Sequence, residues 1–166
     1  TLLYDENLRE SLKKADVVLP SLDAATEGVF RKINRPQKTL ILENYVKGLI
    51  TFCNEFKGEV WLEIFILPGY NDSLREFIAL KETIWRINQD TIQLNTLDRP
   101  GVDKNLRSAT KEELQQIVDF WKLNNVEIIA APKERKEIQS YRKDKETAIT
   151  ETIARRPCTL DDLAKI

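Results

Sequence analysis

The chain has 166 residues, 26 basic and 27 acidic, with two cysteines and no histidine. That length suits one ordinary domain, the balanced charge gives no footing for a nucleic-acid or polybasic membrane surface, and no apolar run approaches the ~20 residues that cross a bilayer. Histidine-base catalysis is excluded, and Cys53 and Cys158 are too few for a zinc site or an iron–sulfur cluster held by this chain alone.

Asp5 is placed to cap a first helix over Glu6–Ala15. Val17–Leu22 reads as a buried strand, with Pro20 interrupting its ladder and Ser21 and Asp23 arriving where the apolar run ends. A short helix is expected over Thr26–Ile33, then a loop that carries Arg35-Pro36. Leu42, Tyr45, Val46, Leu49, Cys53 and Phe56 then recur at helical spacing. Cys53 sits inside that stripe and reads as a small core hydrophobe rather than a nucleophile. Val60–Leu67 is the second strand, and its "LPGYND" end reads as a turn using Gly69 with Asn71 or Asp72.

Ser73 with Glu76 predicts a capping box before the next helix, and Thr110 with Glu113 predicts another. Between them Thr91–Leu97 is a third strand, leading into "LDRPG", where Asp98 has Arg99 and Arg107 as candidate partners. Val126–Ala130 is the fourth strand. Strands alternating with helices in this way predict an α/β fold with a mostly parallel sheet, a partial (βα) barrel fragment of the TIM type. The barrel part is expected to occupy 1–132, a charged helix or linker 133–148, and the start of a small helical domain 149–166, so that the chain reads as cut at both ends.

Parallel βα folds meet their ligands at the carboxyl ends of the strands. Polar residues gather there: Ser21 and Asp23, Glu63, and Gln93 with Asn95 on one face of the third strand. Each has a plainer reading. Ser21 and Asp23 could cap the next turn, the two amides could satisfy one another, and Glu63 could form an ion pair. As a carboxylate between Leu62 and Ile64, Glu63 needs a partner or a ligand donor if it faces a barrel interior. Arg35 could fork a carboxylate or phosphate from its loop, or simply face solvent.

At this point the residues take on a likeness. "VVLPSLDAATEGVFRKINRP" resembles the fourth-strand region of radical S-adenosylmethionine (radical SAM) enzymes, "LEIFILPGYNDS" their fifth strand and "IQLNTLDRPG" their sixth. "TLLYDENLRE" is similar to the segment after their third strand, and "IARRPCTLDDLAKI" to the start of a winged-helix-like appendage. The group most resembled is a set of archaeal and bacterial iron–sulfur oxidoreductases. The resemblance implies that Ser21, Asp23, Glu63, Gln93, Asn95 and, from its loop, Arg35 face S-adenosylmethionine or the substrate. It implies no catalytic acid or base and no metal ligand among them.

It also implies a [4Fe–4S] cluster and S-adenosylmethionine in the full-length protein, which would cleave the cofactor reductively to a 5′-deoxyadenosyl radical acting on an unknown substrate. The family's Cys-x3-Cys-x2-Cys motif is absent from this sequence. The fragment alone is therefore expected to bind neither cofactor stably and to be inactive, its natural partner being the N-terminal part of the same protein. Cytoplasmic localisation is expected from the sparse thiols. An exposed sheet edge could support dimerisation. The rival readings are a non-redox (βα) barrel enzyme with Glu63 or Asp98 as base, weakened by the lack of a glycine-rich phosphate loop, and a partner-binding scaffold.

Overall fold

A computed structural model describes residues 2–98 and 105–129, together with positions 146, 149, 150, 153 and 154, which are helical. Four strands, β1 (Val17–Val18), β2 (Glu59–Ile66), β3 (Thr91–Thr96) and β4 (Val126–Ile128), form one sheet in the order β1-β2-β3-β4. Every pairing is parallel. Between and before them lie α1 (Glu6–Leu12), α2 (Glu27–Ile33), α3 (Leu42–Glu55), α4 (Leu74–Ile84) and α5 (Lys111–Trp121). The expected partial (βα) barrel fragment is what the chain forms. The expected linker and helical domain, Cys158, and Arg99 to Gly101 of the "LDRPG" turn lie outside the described residues.

The strands are two-faced. In β2, Val60, Leu62, Ile64 and Ile66 are buried while Trp61, Glu63 and Phe65 are half-buried. β3 repeats the pattern, with Ile92 and Leu94 fully buried. The buried face joins Leu49 and Phe52 of α3, Leu80 and Ile84 of α4, and Leu114 and Trp121 of α5 in a single core. Burying each such side chain contributes about 1.5–3 kcal/mol. Cys53 belongs to this core, and burial pushes its thiol up to about 12. The apolar run "FIL" suggests strands apolar on both faces; Phe65 instead lies on the less covered face, outside the core.

The helix starts follow the sequence with one correction. Asp5 accepts from the Asn7 and Leu8 amides at the head of α1, which ends three residues short of the expected Ala15. The Thr110–Glu113 box is complete. At α4 only half of the predicted box forms: Ser73 accepts from the Glu76 amide at 3.2 Å, but the Glu76 carboxylate does not turn back. It is 1% exposed and accepts instead from the Ala25 amide, the Thr26 amide and the Thr26 hydroxyl. A buried carboxylate needs several donors, and the uncapped start of α2 supplies them.

Two glycines are dictated by geometry. Gly69 has φ +81° in the β2–α4 turn, a conformation open to glycine without a Cβ penalty. At Gly48 a Cβ would stand 2.3 Å from the Tyr4 amide nitrogen, so the segment before α1 can lie directly on α3.

Candidate functional site

β1 pairs as a regular ladder for only two residues, where the sequence suggests Val17–Leu22. Pro20 has no amide to donate, but its carbonyl accepts from the Glu63 amide at 2.9 Å. Leu22 then donates to the Glu63 carbonyl at 2.9 Å, so Ser21 is held opposite Glu63 by an isolated parallel bridge. The buried Tyr45 hydroxyl donates to the Ser21 carbonyl, and burial raises the Tyr45 pKa. Backbone pairing and one long side chain thus fix a polar residue at the end of a strand too short to hold it alone.

The register carries this row across the sheet. Ser21 stands beside Glu63, Glu63 beside Gln93, and Gln93 beside Glu127 of β4. Two residues on toward the carboxyl ends, Phe65 stands beside Asn95. Period-two alternation puts all of these on the half-exposed face, away from the core. Asn95 donates from Nδ2 to Glu63 Oε1 at 2.9 Å and accepts from the Thr96 amide at 2.8 Å. Ser21 Oγ donates to the other Glu63 oxygen over a long 3.5 Å. Ser21, Glu63 and Asn95 therefore form one hydrogen-bonded cluster. Gln93 lies in the same row with no side-chain hydrogen bond among the described residues.

Asp23 has a different task. Past the end of β1, its Oδ1 accepts from the Phe65 amide at 3.1 Å and Oδ2 from Asn34 Nδ2 at 3.0 Å. Asn71, wholly buried, accepts from the Leu67 amide and donates to the Asp23 and Phe65 carbonyls. These two side chains take over the hydrogen bonds that a longer β1 would have made to the end of β2. Burial raises the Asp23 pKa, against the lowering effect of the Phe65 amide and Asn34; nearby Glu63 adds to the rise.

Arg35 is not in contact with the cluster. It lies after Asn34 in the loop that leaves α2, exposed, with φ +45°. That conformation costs a non-glycine residue roughly 1–2 kcal/mol, and the following proline restricts it further. Arg107, one expected partner of Asp98, forks onto Glu113 at 2.7 Å through both terminal nitrogens.

Reading by single residues missed the aromatic companions of Glu63. Trp61 and Phe65 lie two residues on either side and share its face, a placement the period of two makes visible in "WLEIF". Glu127 could be found only from the register with Gln93. A groove of about 360 Å³ between α4 and α5, lined in part by Phe77, Ile117 and Phe120, contains none of these residues. Among the described residues no three potential metal ligands gather, and no helix is long and apolar enough to cross a membrane.

Fold and face together define a piece of parallel βα barrel wall, packed by helices on one side and carrying a polar, aromatic-flanked row on the other. Among solved structures, a domain of a pyruvate-formate lyase-activating enzyme from Bacteroides vulgatus matches with a TM-score of 0.56 and 19% identity, covering 77% of this chain and 76% of that one. A radical SAM methyltransferase from Sphaerobacter thermophilus matches with a TM-score of 0.61 and 13% identity, covering 76% of this chain and 38% of that one. At such identities the shared property is the fold.

Curated relatives are more alike in sequence. A protein named GTPase Obg from Brachyspira hyodysenteriae is 33% identical over 165 residues, 99% of this chain and 24% of that protein. A UPF0026 protein of Methanocaldococcus jannaschii is 30% identical over 118 residues, 71% of this chain and 37% of that protein. A UPF0026 protein of Helicobacter pylori is 27% identical over 115 residues, 69% of this chain and 37% of that protein. The chain thus spans well under half the length of the curated relatives it matches. No family model matches it.

Proposed function

We propose that this chain is part of the barrel wall of a radical SAM enzyme, and that its half-exposed sheet face binds a nucleoside-bearing cofactor, S-adenosylmethionine. The observation that carries the reading is the Ser21–Glu63–Asn95 cluster, set between Trp61 and Phe65 and beside the uncommitted amide of Gln93. A carboxylate held by two neighbours is a positioned acceptor, suited to the paired hydroxyls of a ribose. Gln93 offers both a donor and an acceptor, and the two rings give planar apolar surface for a base or an apolar substrate group. Asp23 supports the same surface from below by fixing the Phe65 backbone. Bound S-adenosylmethionine would supply a carbon-centred radical once reduced, and these residues would hold and orient it and keep water away.

The described residues do not fit a four-iron cluster. Cys53 is buried in α3, and no set of three ligands accompanies it. Cluster ligands would have to come from elsewhere in the full-length protein, and no step through a cluster is assigned to this chain. The GTPase name of one relative has no counterpart here, because the sequence contains no Gly-x4-Gly-Lys-Ser/Thr run to cradle phosphates.

The test is direct binding. In equilibrium dialysis of the full-length protein that contains this chain with S-adenosylhomocysteine, Glu63→Gln and Asn95→Ala are each expected to weaken binding about tenfold, the loss of one charge-assisted hydrogen bond. Far-ultraviolet circular dichroism should be unchanged. Affinity equal to the parent's in both variants would remove the cofactor from this face.

A further inference from the structure

We propose that the solvent-facing seam between α4 and α5 is the seat of the segment 159–166 of the same chain, laid across it as a short amphipathic helix. The seam lies on the helix side of the sheet, away from the polar row, and owes nothing to what that row binds. α4 carries two apolar stripes. Phe77, Leu80 and Ile84 pack on the core. Leu74, Ile78 and, at the C-cap, Trp85 face outward at i, i+4 and i+11, and Phe120 of α5 joins them. Trp85 is 68% exposed and Leu74 62%. Core packing accounts for the first stripe and leaves the second uncovered.

The seam is a groove rather than scattered exposure. Its cavity of about 360 Å³ runs from Ile66 and Pro68, at the end of β2, to Phe120. Thr96 stitches its upper end, donating to the Ile66 carbonyl at 2.7 Å and accepting from the Ala109 amide at 2.8 Å. Along its outer edge Lys81 lies over the Trp85 ring at 5.2 Å and the Phe120 ring at 5.9 Å. Lys81 is paired with no carboxylate among the described residues, so its ammonium has donors left for an acid.

Size and charge select the occupant. Four side chains of this kind expose a patch of a few hundred Å², well short of the about 800 Å² per partner that a stable dimer buries. A contact that small holds when its partner is tethered, because tethering raises the local concentration to about millimolar. The chain supplies such a partner. The Ile129 amide donates to the Leu94 carbonyl at 2.9 Å, so the backbone leaves β4 at the same carboxyl edge where the groove opens. About 30 residues then lead to Leu160, and at up to ~3.3 Å each they reach any point on a domain of this size. There "TLDDLAKI" sets Leu160, Leu163 and Ala164 at i, i+3 and i+4 behind Thr159, whose spacing from Asp162 is that of a helix start. Asp161 and Asp162 flank the leucines and are the acids that Lys81 lacks.

The test reads thiol access in the full-length protein that contains this chain. Leu74→Cys places a reporter in the seam, Lys14→Cys gives an exposed reference, and maleimide labelling of each is followed by peptide mass spectrometry. Docking predicts that Leu74→Cys reacts about tenfold more slowly than Lys14→Cys, and that Leu160→Asp with Leu163→Asp removes the difference. Lys81→Glu should raise the labelling of Leu74→Cys about threefold, and adding Asp161→Lys with Asp162→Lys should restore protection, which a variant that merely unfolds cannot do. Labelling of Leu74→Cys as fast as the reference overturns the docking, because the seam is then bare. Protection lost on dilution overturns it in favour of a second copy, and protection untouched by the leucine substitutions overturns it in favour of another part of the protein. Release by the leucine substitutions without rescue by the charge swap overturns it as well.

Discussion

One strand carries two unlike surfaces. On β2, Leu62 and Ile64 are 0% exposed, while Trp61, Glu63 and Phe65 between them stay half-buried. The first set is explained by packing, since both side chains belong to the core that helices α3 to α5 share. The second set is not. A carboxylate, an amide and two rings on one patch add little to folding, and polar groups there are retained at no gain in core packing. What the pair of surfaces teaches is that stability and recognition are separated by a single residue of register in this sheet.

The sharpest way to break that contrast is to truncate neighbours. Ile64→Ala should cost about 2–5 kcal/mol in urea unfolding, because the cavity it leaves is walled by fixed helices. Phe65→Ala, one residue on, should cost less than about 1 kcal/mol. Comparable losses at the two positions would mean that the second face is also a packed core, covered by something the described residues do not include.

Next in size is the seam where the two surfaces meet. Asn71→Ala would strand the buried Leu67 amide and the Asp23 and Phe65 carbonyls. An expected loss of about 2–3 kcal/mol comes from leaving such groups unpaired. Amide hydrogen exchange should quicken at Leu67 before it does in the rest of β2. Exchange that rises uniformly along the strand would show that Asn71 serves the whole sheet rather than its end.

The alternation of apolar residues, the two hydroxyl caps and the proline at β1 made the order of elements legible from residue types alone. Local signals of that kind act within a few positions. Ser21, Glu63, Gln93 and Asn95 were legible as a set for the same reason, because strand parity is local and a parallel sheet aligns it. Asp23, Asn71 and Glu76 were not. Asp23 satisfies an amide 42 residues away, Asn71 a carbonyl 48 away, and Glu76 the start of a helix about 50 away. The Ser73–Glu76 spacing promised a local partner, and an uncapped helix end outcompeted it. Side chains that mend the ends of elements answer to tertiary neighbours, which no spacing rule reveals.

The smallest effect concerns Asp23, which stands on the seam and carries a charge. Burial raises its pKa above the ordinary carboxylate value, so the native protein keeps this proton to a higher pH than the unfolded chain does. Between those two values the folded state binds more protons, and stability falls as pH rises. The contribution of Asp23 is therefore fully present below the unfolded pKa and is lost as pH rises through the folded one. Asp23→Asn removes the titration and keeps an oxygen for the Phe65 amide. Urea unfolding of both proteins from about pH 3 to 7 should show the asparagine variant gaining on the parent as pH increases, with the other carboxylates cancelling in the difference. A gain in the opposite direction would mean that the Phe65 amide and Asn34 outweigh burial, and that the end of β2 is held by an ionised Asp23 that the fold favours outright.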